Sequence, residues 1–164
     1  MTEQGEDRDI DGEEALFLSN QLCFALHSTT LALGRVYQRV LAPLGLTYTQ
    51  YLAMLVLWER ERVSVKDLGA ALILDSGTLT PLLKRLELAG LVERRRDEAD
   101  ERRVLVAPTA QGWSLRQRAL EVPHRIMEAC GGAGVPLSRL KGDLEALRTA
   151  LIAVPVAPAS GEGA

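Results

Sequence analysis

The sequence predicts a mainly α-helical fold with one small β-hairpin, and three observations support the prediction. Capping residues precede several stretches, apolar residues within those stretches recur at helical spacing, and two short apolar runs flank a charged segment near residue 100. Between Ser64 and Val106 the predicted order is helix, turn, helix, strand, charged loop and strand. That order is a winged helix-turn-helix, whose second helix lies in a DNA major groove. The segment therefore predicts DNA binding.

Charge is distributed unevenly along the 164 residues. The formal net charge is −3, but residues 1–14 contain seven acids and a single base, Arg8. The remaining residues contain 15 acids and 18 bases, and seven of these bases lie between Lys84 and Arg103. An asymmetry of this kind, rather than the total charge, indicates a surface that binds nucleic acid.

The N-terminal part predicts one long helix. Residues 1–12 are acidic and lack apolar periodicity, so we expect them to be disordered. From Glu13 to about Leu41 the chain is continuous in helix-forming residues, and Pro43 and Gly45 end the helix. Its apolar residues cover more than one stripe, whereas a surface helix of a monomer needs only one. This pattern predicts a helix that is buried in a dimer.

Capping residues mark the next three helices, because a Thr, Ser or Asp side chain accepts a hydrogen bond from a free backbone N–H of the first turn. The predicted caps are Thr47, with Gln50 three residues later, Ser64, with Asp67 three residues later, and Asp75 or Ser76. The first of these helices extends to about Glu59. The third ends at Ala89, where Gly90 takes the position that favours a left-handed residue.

Two strands and two further helices complete the prediction. The strands are Leu91–Arg95 and Arg103–Ala107, and the helices are Ala110–Ala129, opened by Pro108 and Thr109 and ended by the GGAG sequence, and Leu137–Ala153. The predicted organisation is a disordered acidic tail at 1–12, a helical dimerisation region at 13–45 and 110–153, a winged helix-turn-helix region at 46–109, and a flexible tail at 154–164.

The helix after Asp75 combines an apolar and a polar face. Four leucines at helical spacing are expected to pack inward: Leu79, Leu82, Leu83 and Leu86. The residues left toward solvent or DNA are Ser76, Thr78, Thr80, Pro81, Lys84 and Arg85. Small hydroxyls allow close approach to phosphates and base edges, and Arg85 can bond the O6 and N7 atoms of a guanine together.

The charged hairpin is expected to contact DNA beside this helix. Its cations are Arg94, Arg95, Arg96, Arg102 and Arg103. An arginine at the tip of a wing can enter a narrow minor groove, where the negative potential is strongest. Asp100 lies two residues before Arg102, so we expect its carboxylate to hold that guanidinium in place. A solvated run of charges is the alternative interpretation of the hairpin.

A resemblance to the MarR family of dimeric bacterial transcription regulators is carried by LDSGTLTPLLKRLELAGLVERRRDEADERRVLVAPTAQG. Two motifs are part of it, D-x-R at Asp100 and Arg102 and T-x-x-G at Thr109 and Gly112. The resemblance covers about Leu16 to Ala153. It implies a homodimer, joined by the first and last two helices, that binds a pseudo-palindromic operator as a repressor. By the same match, Arg85 is expected to contact the major groove and Arg102 the minor groove.

Within that family, the segments NQLCFALHSTT and TYTQYLAMLVLWE are similar to the organic-hydroperoxide-sensing branch. This resemblance implies that Cys23 is the peroxide sensor and that Tyr37 and Tyr48 hydrogen-bond it. Cys130 fits the resolving cysteine of the two-cysteine type. In that type the sensor is oxidised to a sulfenic acid and then captured by the resolving cysteine of the partner subunit.

The cysteine and tyrosine residues support this chemistry independently of the resemblance. Organic peroxides react with a thiolate, and phenol donors can stabilise one through charge-assisted hydrogen bonds. Cys23 and Tyr37 are 14 residues apart, which is about 21 Å along a single helix at about 1.5 Å per residue. Contact between them therefore requires an antiparallel partner helix, so we expect the sensor pocket to span the dimer. Apolar neighbours would suit alkyl or lipid peroxides: Leu22, Phe24, Leu26 and Met54.

Several alternatives stay open. Cys23 and Cys130 could be inert buried thiols in a regulator that is released by a phenolic or other small ligand, and the two tyrosines could be plain packing residues. A thiol peroxidase is a different class, but no catalytic Arg, Thr or Ser constellation accompanies Cys23, so we expect no enzyme activity. The two cysteines with His27 and His124 lack the short spacing of a metal site. No metal or cofactor is expected.

The ends and apolar runs of the sequence give an expectation for its location. The acidic N-terminus differs from a secretory signal, which is basic and then apolar. No apolar run approaches the roughly 18 residues of a membrane span. We therefore expect a cytoplasmic protein without a membrane partner.

Overall fold

The computed structural model describes residues 12–132 and 134–155. The predicted tails at 1–12 and 154–164 lie almost entirely outside these residues. The described helices and strands are α1 Leu22–Leu41, α2 Tyr48–Arg60, β1 Val63–Ser64, α3 Val65–Leu72, α4 Ser76–Leu88, β2 Val92–Arg96, β3 Val104–Pro108, α5 Ala110–Ala119, α6 Glu121–Gly131 and α7 Leu137–Ala153. Mainly helical structure with a small sheet was predicted, and this fold class is confirmed.

The chain divides into two compact units, one ending at Ile126 and the other beginning at Met127. The first unit contains a continuous hydrophobic core to which α2, α3, α4 and the sheet contribute. The largest fully buried side chains are Leu41, Met54, Leu57, Leu68, Leu79, Leu83, Leu86 and Val106. The second unit contains α7, whose bounds agree with the prediction.

The predicted long helix from Glu13 to Leu41 is wrong at its N-terminal end, because α1 begins at Leu22. Two short 3-10 helices precede it, and the backbone at Gln21 is extended, with ψ 110°. The side-chain amides of Asn20 and Gln21 donate to carbonyl oxygens six residues earlier, at 2.8 and 2.5 Å. These bonds satisfy the backbone locally and so compete with a continuous helix.

The helix predicted from Ala110 to Ala129 is also wrong, because the structure divides it at Leu120 into α5 and α6. Pro123 explains the division. Proline has no N–H to donate, and its ring meets the carbonyl of the residue four positions earlier, here Ala119. The hydrogen-bond ladder of the predicted helix is therefore interrupted between α5 and α6.

The capping predictions are confirmed. Thr47 and Gln50 form a reciprocal capping box, in which each side chain bonds the backbone N–H of the other residue. Ser64 caps α3 by accepting from the N–H of Asp67 at 3.1 Å. Asp75, rather than Ser76, is the cap of α4. These contacts connect residues three positions apart, so they form with the first turn of each helix.

The sheet contains three antiparallel strands in the order β1-β3-β2. The hairpin pairs Arg94 with Val106, and β1 pairs Val63 with the same Val106. The strands of the hairpin lie one residue later than predicted. β1 has only two residues, too few to produce a visible alternation of polar and apolar positions.

In the described ranges, no single helix has both the length and the apolar composition needed to cross a membrane. Leu22–Leu44 and Tyr48–Arg60 meet the criterion only as a pair, and that pair is bent by 66°.

Candidate nucleic-acid interface and thiol site

The start of α4 is fixed by one carboxylate. Asp75 accepts from the backbone N–H of Thr78 at 2.8 Å and from the Thr78 hydroxyl at 3.0 Å. These bonds favour the carboxylate, so they lower the pKa of Asp75, the backbone bond having the larger effect. The hydroxyl of Thr80 donates to the Ser76 carbonyl at 2.8 Å. The small polar side chains at this end therefore have defined orientations.

The other end of α4 is closed by a left-handed glycine. Gly90 has φ +71°, and its N–H donates to the Glu87 carbonyl at 2.9 Å. The N–H of Leu91 donates to the Leu86 carbonyl at 3.0 Å. This pair of bonds is the Schellman motif, and it satisfies carbonyls that the helix leaves free. Both ends of the helix are therefore anchored.

The two faces of α4 separate as predicted. Leu79, Leu82, Leu83 and Leu86 are buried. The predicted DNA-facing residues are all exposed: Ser76, Thr78, Thr80, Pro81, Lys84 and Arg85. A groove of about 280 Å³ brings Thr78 and Arg85 together with Thr47 and Thr49 at the start of α2. The N-terminal part of α4 thus presents a continuous polar surface.

The cations of this surface fall into two sets. Three arginines have acidic partners: Arg94 with Glu87, Arg95 with Glu93 at 2.9 Å, and Arg103 with Asp67 at 3.6 Å and Asp97 at 3.9 Å. The contact with Arg94 lowers the pKa of Glu87. Within residues 12–132 and 134–155, no acidic partner is found for Lys84, Arg85, Arg96 or Arg102. Those four side chains are available to phosphates.

The predicted role of Asp100 is wrong. Its carboxylate accepts from the backbone N–H of Arg102 at 3.1 Å, and it makes no ion pair with that guanidinium. The Arg103 N–H also donates to the Asp100 carbonyl, at 2.8 Å. Asp100 therefore closes the turn of the wing, which is the hairpin of β2, β3 and the loop between them. An Asp side chain bonds the backbone two residues on more readily than it reaches a neighbouring side chain.

The wing and the helices share one groove of about 870 Å³. Its lining includes Lys66 and Asp67 of α3, Ser76 of α4, and Arg102 and Arg103 of the wing. The structure therefore brings the start of α4 and the tip of the wing to a single surface. The sequence analysis named Ser76, Arg102 and Arg103, but it did not name Lys66 or Asp67 as part of this surface, and it did not predict that these elements meet across a groove.

Cys23 is an exposed free thiol in the first turn of α1. It takes this position because α1 begins at Leu22, nine residues later than predicted. Cys130 is a free thiol in α6 and is half-buried.

The three tyrosines of the chain form one cluster. The rings of Tyr37 and Tyr48 have centroids 4.3 Å apart, and Tyr51 lies 6.2 Å from Tyr37. Tyr51 is only 3% exposed. Burial, with the nearby Tyr48 as a smaller cause, raises the pKa of Tyr51. The sequence prediction omitted Tyr51, although its position three residues after Tyr48 places both on one face of α2.

The structure does not bring Cys23 and the tyrosines together within one chain. Cys23 and Tyr37 both lie in α1, so the separation of about 21 Å along the helix axis applies. Tyr37 and Tyr48, the two predicted donors, are in contact with one another instead.

The exposed polar face of α4, the adjacent arginine-rich wing and the helices that support them define a winged-helix DNA-binding protein. Residues 35–118 match the family model described as transcriptional regulator SarA/Rot. The organic hydroperoxide resistance transcriptional regulator of Bacillus subtilis strain 168 is 45% identical over 130 residues, which are 79% of this chain and 88% of that protein.

Solved structures agree with this classification. Reduced AbfR bound to DNA matches with a TM-score of 0.68 and 33% identity, over 84% of this chain and 96% of that chain. Disulfide-formed AbfR matches with a TM-score of 0.58 and 36% identity, over 82% and 92%; this protein is from Staphylococcus epidermidis. An Escherichia coli MarR variant complexed with operator DNA matches with a TM-score of 0.74 and 25% identity, over 80% and 97%. The chain belongs to the MarR family of transcription regulators, among the relatives of the organic hydroperoxide regulators.

Proposed function

We propose that this protein is a redox-responsive repressor, which binds a pseudo-palindromic operator as a reduced homodimer and is released when an organic hydroperoxide oxidises Cys23. One observation carries the proposal. Cys23 is an exposed thiol in the first turn of α1, in a chain 45% identical to a regulator named for organic hydroperoxide resistance. A thiol that reacts with a peroxide must be accessible and must favour its anionic form.

The DNA-binding half of the proposal rests on exposed cations. In each subunit, Arg85 would bond a guanine edge in the major groove and Arg102 would enter the minor groove. Lys84 and Arg96 would contact phosphates, together with the hydroxyls at the start of α4. The arginines that already have acidic partners would exchange them for phosphates on binding: Arg94, Arg95 and Arg103.

The homodimer is supported by uncovered apolar side chains near the N-terminus. Large exposed hydrophobic residues there are Leu16, Phe17, Leu18, Leu22, Phe24 and Leu31. Large apolar side chains that a single chain leaves exposed are expected to be covered in an interface. A second copy would cover it and would supply Tyr37 or Tyr48 to the Cys23 thiol, because contact within one chain is excluded by the length of α1.

The proposed chemistry has two balanced steps. The Cys23 thiolate attacks the terminal oxygen of the hydroperoxide, the O–O bond breaks, and the alkoxide leaves as an alcohol after taking a proton, which gives a sulfenic acid. The Cys130 thiolate of the partner subunit then attacks the sulfenic sulfur. The S–O bond breaks, hydroxide leaves and takes up a proton to become water, and a disulfide forms. AbfR, which has a disulfide-formed structure, supports this second step.

Release would follow from geometry. A dimer reads two half-sites whose centres are separated by about 34–36 Å, one turn of DNA. A disulfide between subunits would shift the helices that join them, and this shift would rotate the two copies of α4 relative to one another. Even a small rotation would prevent both copies from docking on the DNA at the same time.

The test is operator binding before and after treatment with cumene hydroperoxide, for wild type and Cys23→Ser. We expect wild type to dissociate and the serine variant to stay bound, because serine is not oxidised. If Cys23→Ser dissociates on treatment, the redox mechanism is wrong. If a phenolic compound releases wild type under reducing conditions while peroxide does not, the protein is a ligand-released regulator instead.

A further inference from the structure

A buried hydrogen bond joins α2 to α5. The indole N–H of Trp58 donates to the carbonyl of Gly112 at 2.9 Å, across 54 positions of sequence. Trp58 is 7% exposed and Gly112 is buried. A buried bond of this kind resists breakage, since either group alone would be left without water or partner.

Thr109 continues the connection to the end of α4. Its hydroxyl oxygen accepts from the N–H of Gly112 at 3.1 Å, and the same hydroxyl donates to the carbonyl of Gly90 at 2.5 Å. Its own N–H donates to the carbonyl of Leu91 at 3.1 Å. Gly90 and Leu91 are the residues that close α4, so Thr109 ties the start of α5 to the end of α4.

Gly112 makes this close approach possible. A Cβ atom at this position would lie 2.1 Å from the carbonyl oxygen of Leu91, far inside van der Waals contact. The obstacle is backbone, so a side chain could be accommodated only if α5 moved away from the residues that follow α4. The T-x-x-G motif therefore has a physical cause: the threonine makes the bonds, and the glycine provides the space.

Helix α2 extends this connection toward the tyrosine cluster. Tyr48 is its first residue, and Trp58 lies ten positions later in the same helix, about 15 Å along the axis. The Tyr48 ring contacts Tyr37 of α1. One helix thus has a predicted sensor-pocket phenol at one end and the bond to Gly112 at the other.

We propose that Trp58, Gly112 and Thr109 form a coupling joint, which sets the orientation of α4 according to the positions of α2 and α5. This inference rests on the proposed function. A displacement of α2 at the tyrosine end, or of α5 in the helical region, moves Gly112, and Thr109 transfers that movement to Gly90. Trp58 and Thr109 are positioning residues: they touch neither DNA nor peroxide, and they act through α4.

The test compares the switching ratio, defined as the operator Kd of the oxidised protein divided by that of the reduced protein. Thr109→Val removes the hydroxyl at nearly constant volume, and Thr109→Ser retains it as the matched control. Trp58→Phe removes the N–H and retains an aromatic ring, so it serves if the valine variant does not fold. Thermal unfolding establishes that each variant is folded, and thiol titration follows the oxidation of Cys23.

We expect Thr109→Val and Trp58→Phe to lose their Cys23 thiol at the wild-type rate and yet to show a switching ratio at least tenfold smaller than wild type. Thr109→Ser is expected to keep the wild-type ratio. If both variants are folded, are oxidised and switch like wild type, the coupling joint is refuted and the proposed function stands. If wild type itself does not switch with peroxide, the proposed function fails first, and the inference that depends on it fails with it.

Discussion

The guanidinium of Arg103, in the wing, lies 3.6 Å from the carboxylate of Asp67, in the first turn of α3. The same carboxylate accepts from the Ser64 hydroxyl at 2.6 Å, so it is held by the residue that caps the helix. Arg103 is therefore oriented toward the protein in the absence of DNA. The wing is connected to the helix-turn-helix by a charge pair as well as by the sheet.

Replacement of this carboxylate should strengthen binding to DNA. In Asp67→Asn, Arg103 loses one acidic partner and becomes available to a phosphate. The exposed ion pair is weak compared with the attraction of the guanidinium to polyanionic DNA. We expect a few-fold higher affinity, because Arg103 no longer has to leave this acidic partner before it contacts a phosphate, and a salt dependence of log K close to that of wild type, because the number of phosphate contacts is unchanged. Titrations at several salt concentrations measure both. An affinity equal to that of wild type would contradict the exchange of partners.

Arg85 should contribute to sequence discrimination. Arg85→Ala is expected to weaken operator binding by about 1–3 kcal/mol while affecting unrelated DNA much less, because a base contact is lost. Arg139→Ala removes the same charge from an exposed position in α7, where Arg139 pairs with Asp143, and is the matched control. Equal losses on operator and unrelated DNA would mean that Arg85 contacts phosphate only.

Ile73 should be a source of strain. This β-branched residue has φ +55° and is 66% exposed, in the turn between α3 and α4. A left-handed conformation costs such a residue roughly 1–2 kcal/mol, and Asn tolerates it better. We expect Ile73→Asn to be about 1 kcal/mol more stable in urea unfolding, whereas Ile73→Val, which stays β-branched, should show no gain. Equal stability of the two variants would contradict the strain.

Asp75 should make the stability of the fold dependent on acid. Its pKa is lowered in the folded state by the Thr78 bonds, so its stabilising contribution is present above the unfolded pKa of about 3.9 and is lost as pH falls through the lower folded value. Asp75→Asn keeps a neutral cap. The difference between the urea midpoints of wild type and this variant should therefore shrink between pH 6 and pH 3. A difference that stays constant over this range would exclude the carboxylate as its cause.

Local signals predicted most of the fold. Thr47, Asp75 and Gly90 act on backbone groups within three or four positions, so their effect is visible in the sequence before any tertiary contact is known. The break before α6 could also have been predicted from the sequence, because Pro123 lies inside the predicted helix. The start of α1 was harder to predict, because it depends on the side-chain amides of Asn20 and Gln21, which donate to carbonyl oxygens six residues earlier.

The candidate site was predicted in composition but not in arrangement. The period of the leucines in α4 identified which side chains face away from the core. The partner of each side chain depended on a different element of the fold. Glu87 of α4 forms an ion pair with Arg94 of β2, and the Trp58 indole donates to the Gly112 carbonyl across 54 positions of sequence. No spacing rule within one helix or strand contains such contacts, because they are set by how the elements pack.

The most direct test of the redox mechanism follows operator binding and the free Cys23 thiol in the same sample during a titration with cumene hydroperoxide. We predict that both signals fall together, and that a thiol reductant restores both. Loss of operator binding while the Cys23 thiol remains intact, or complete oxidation of Cys23 with the operator still bound, would contradict it.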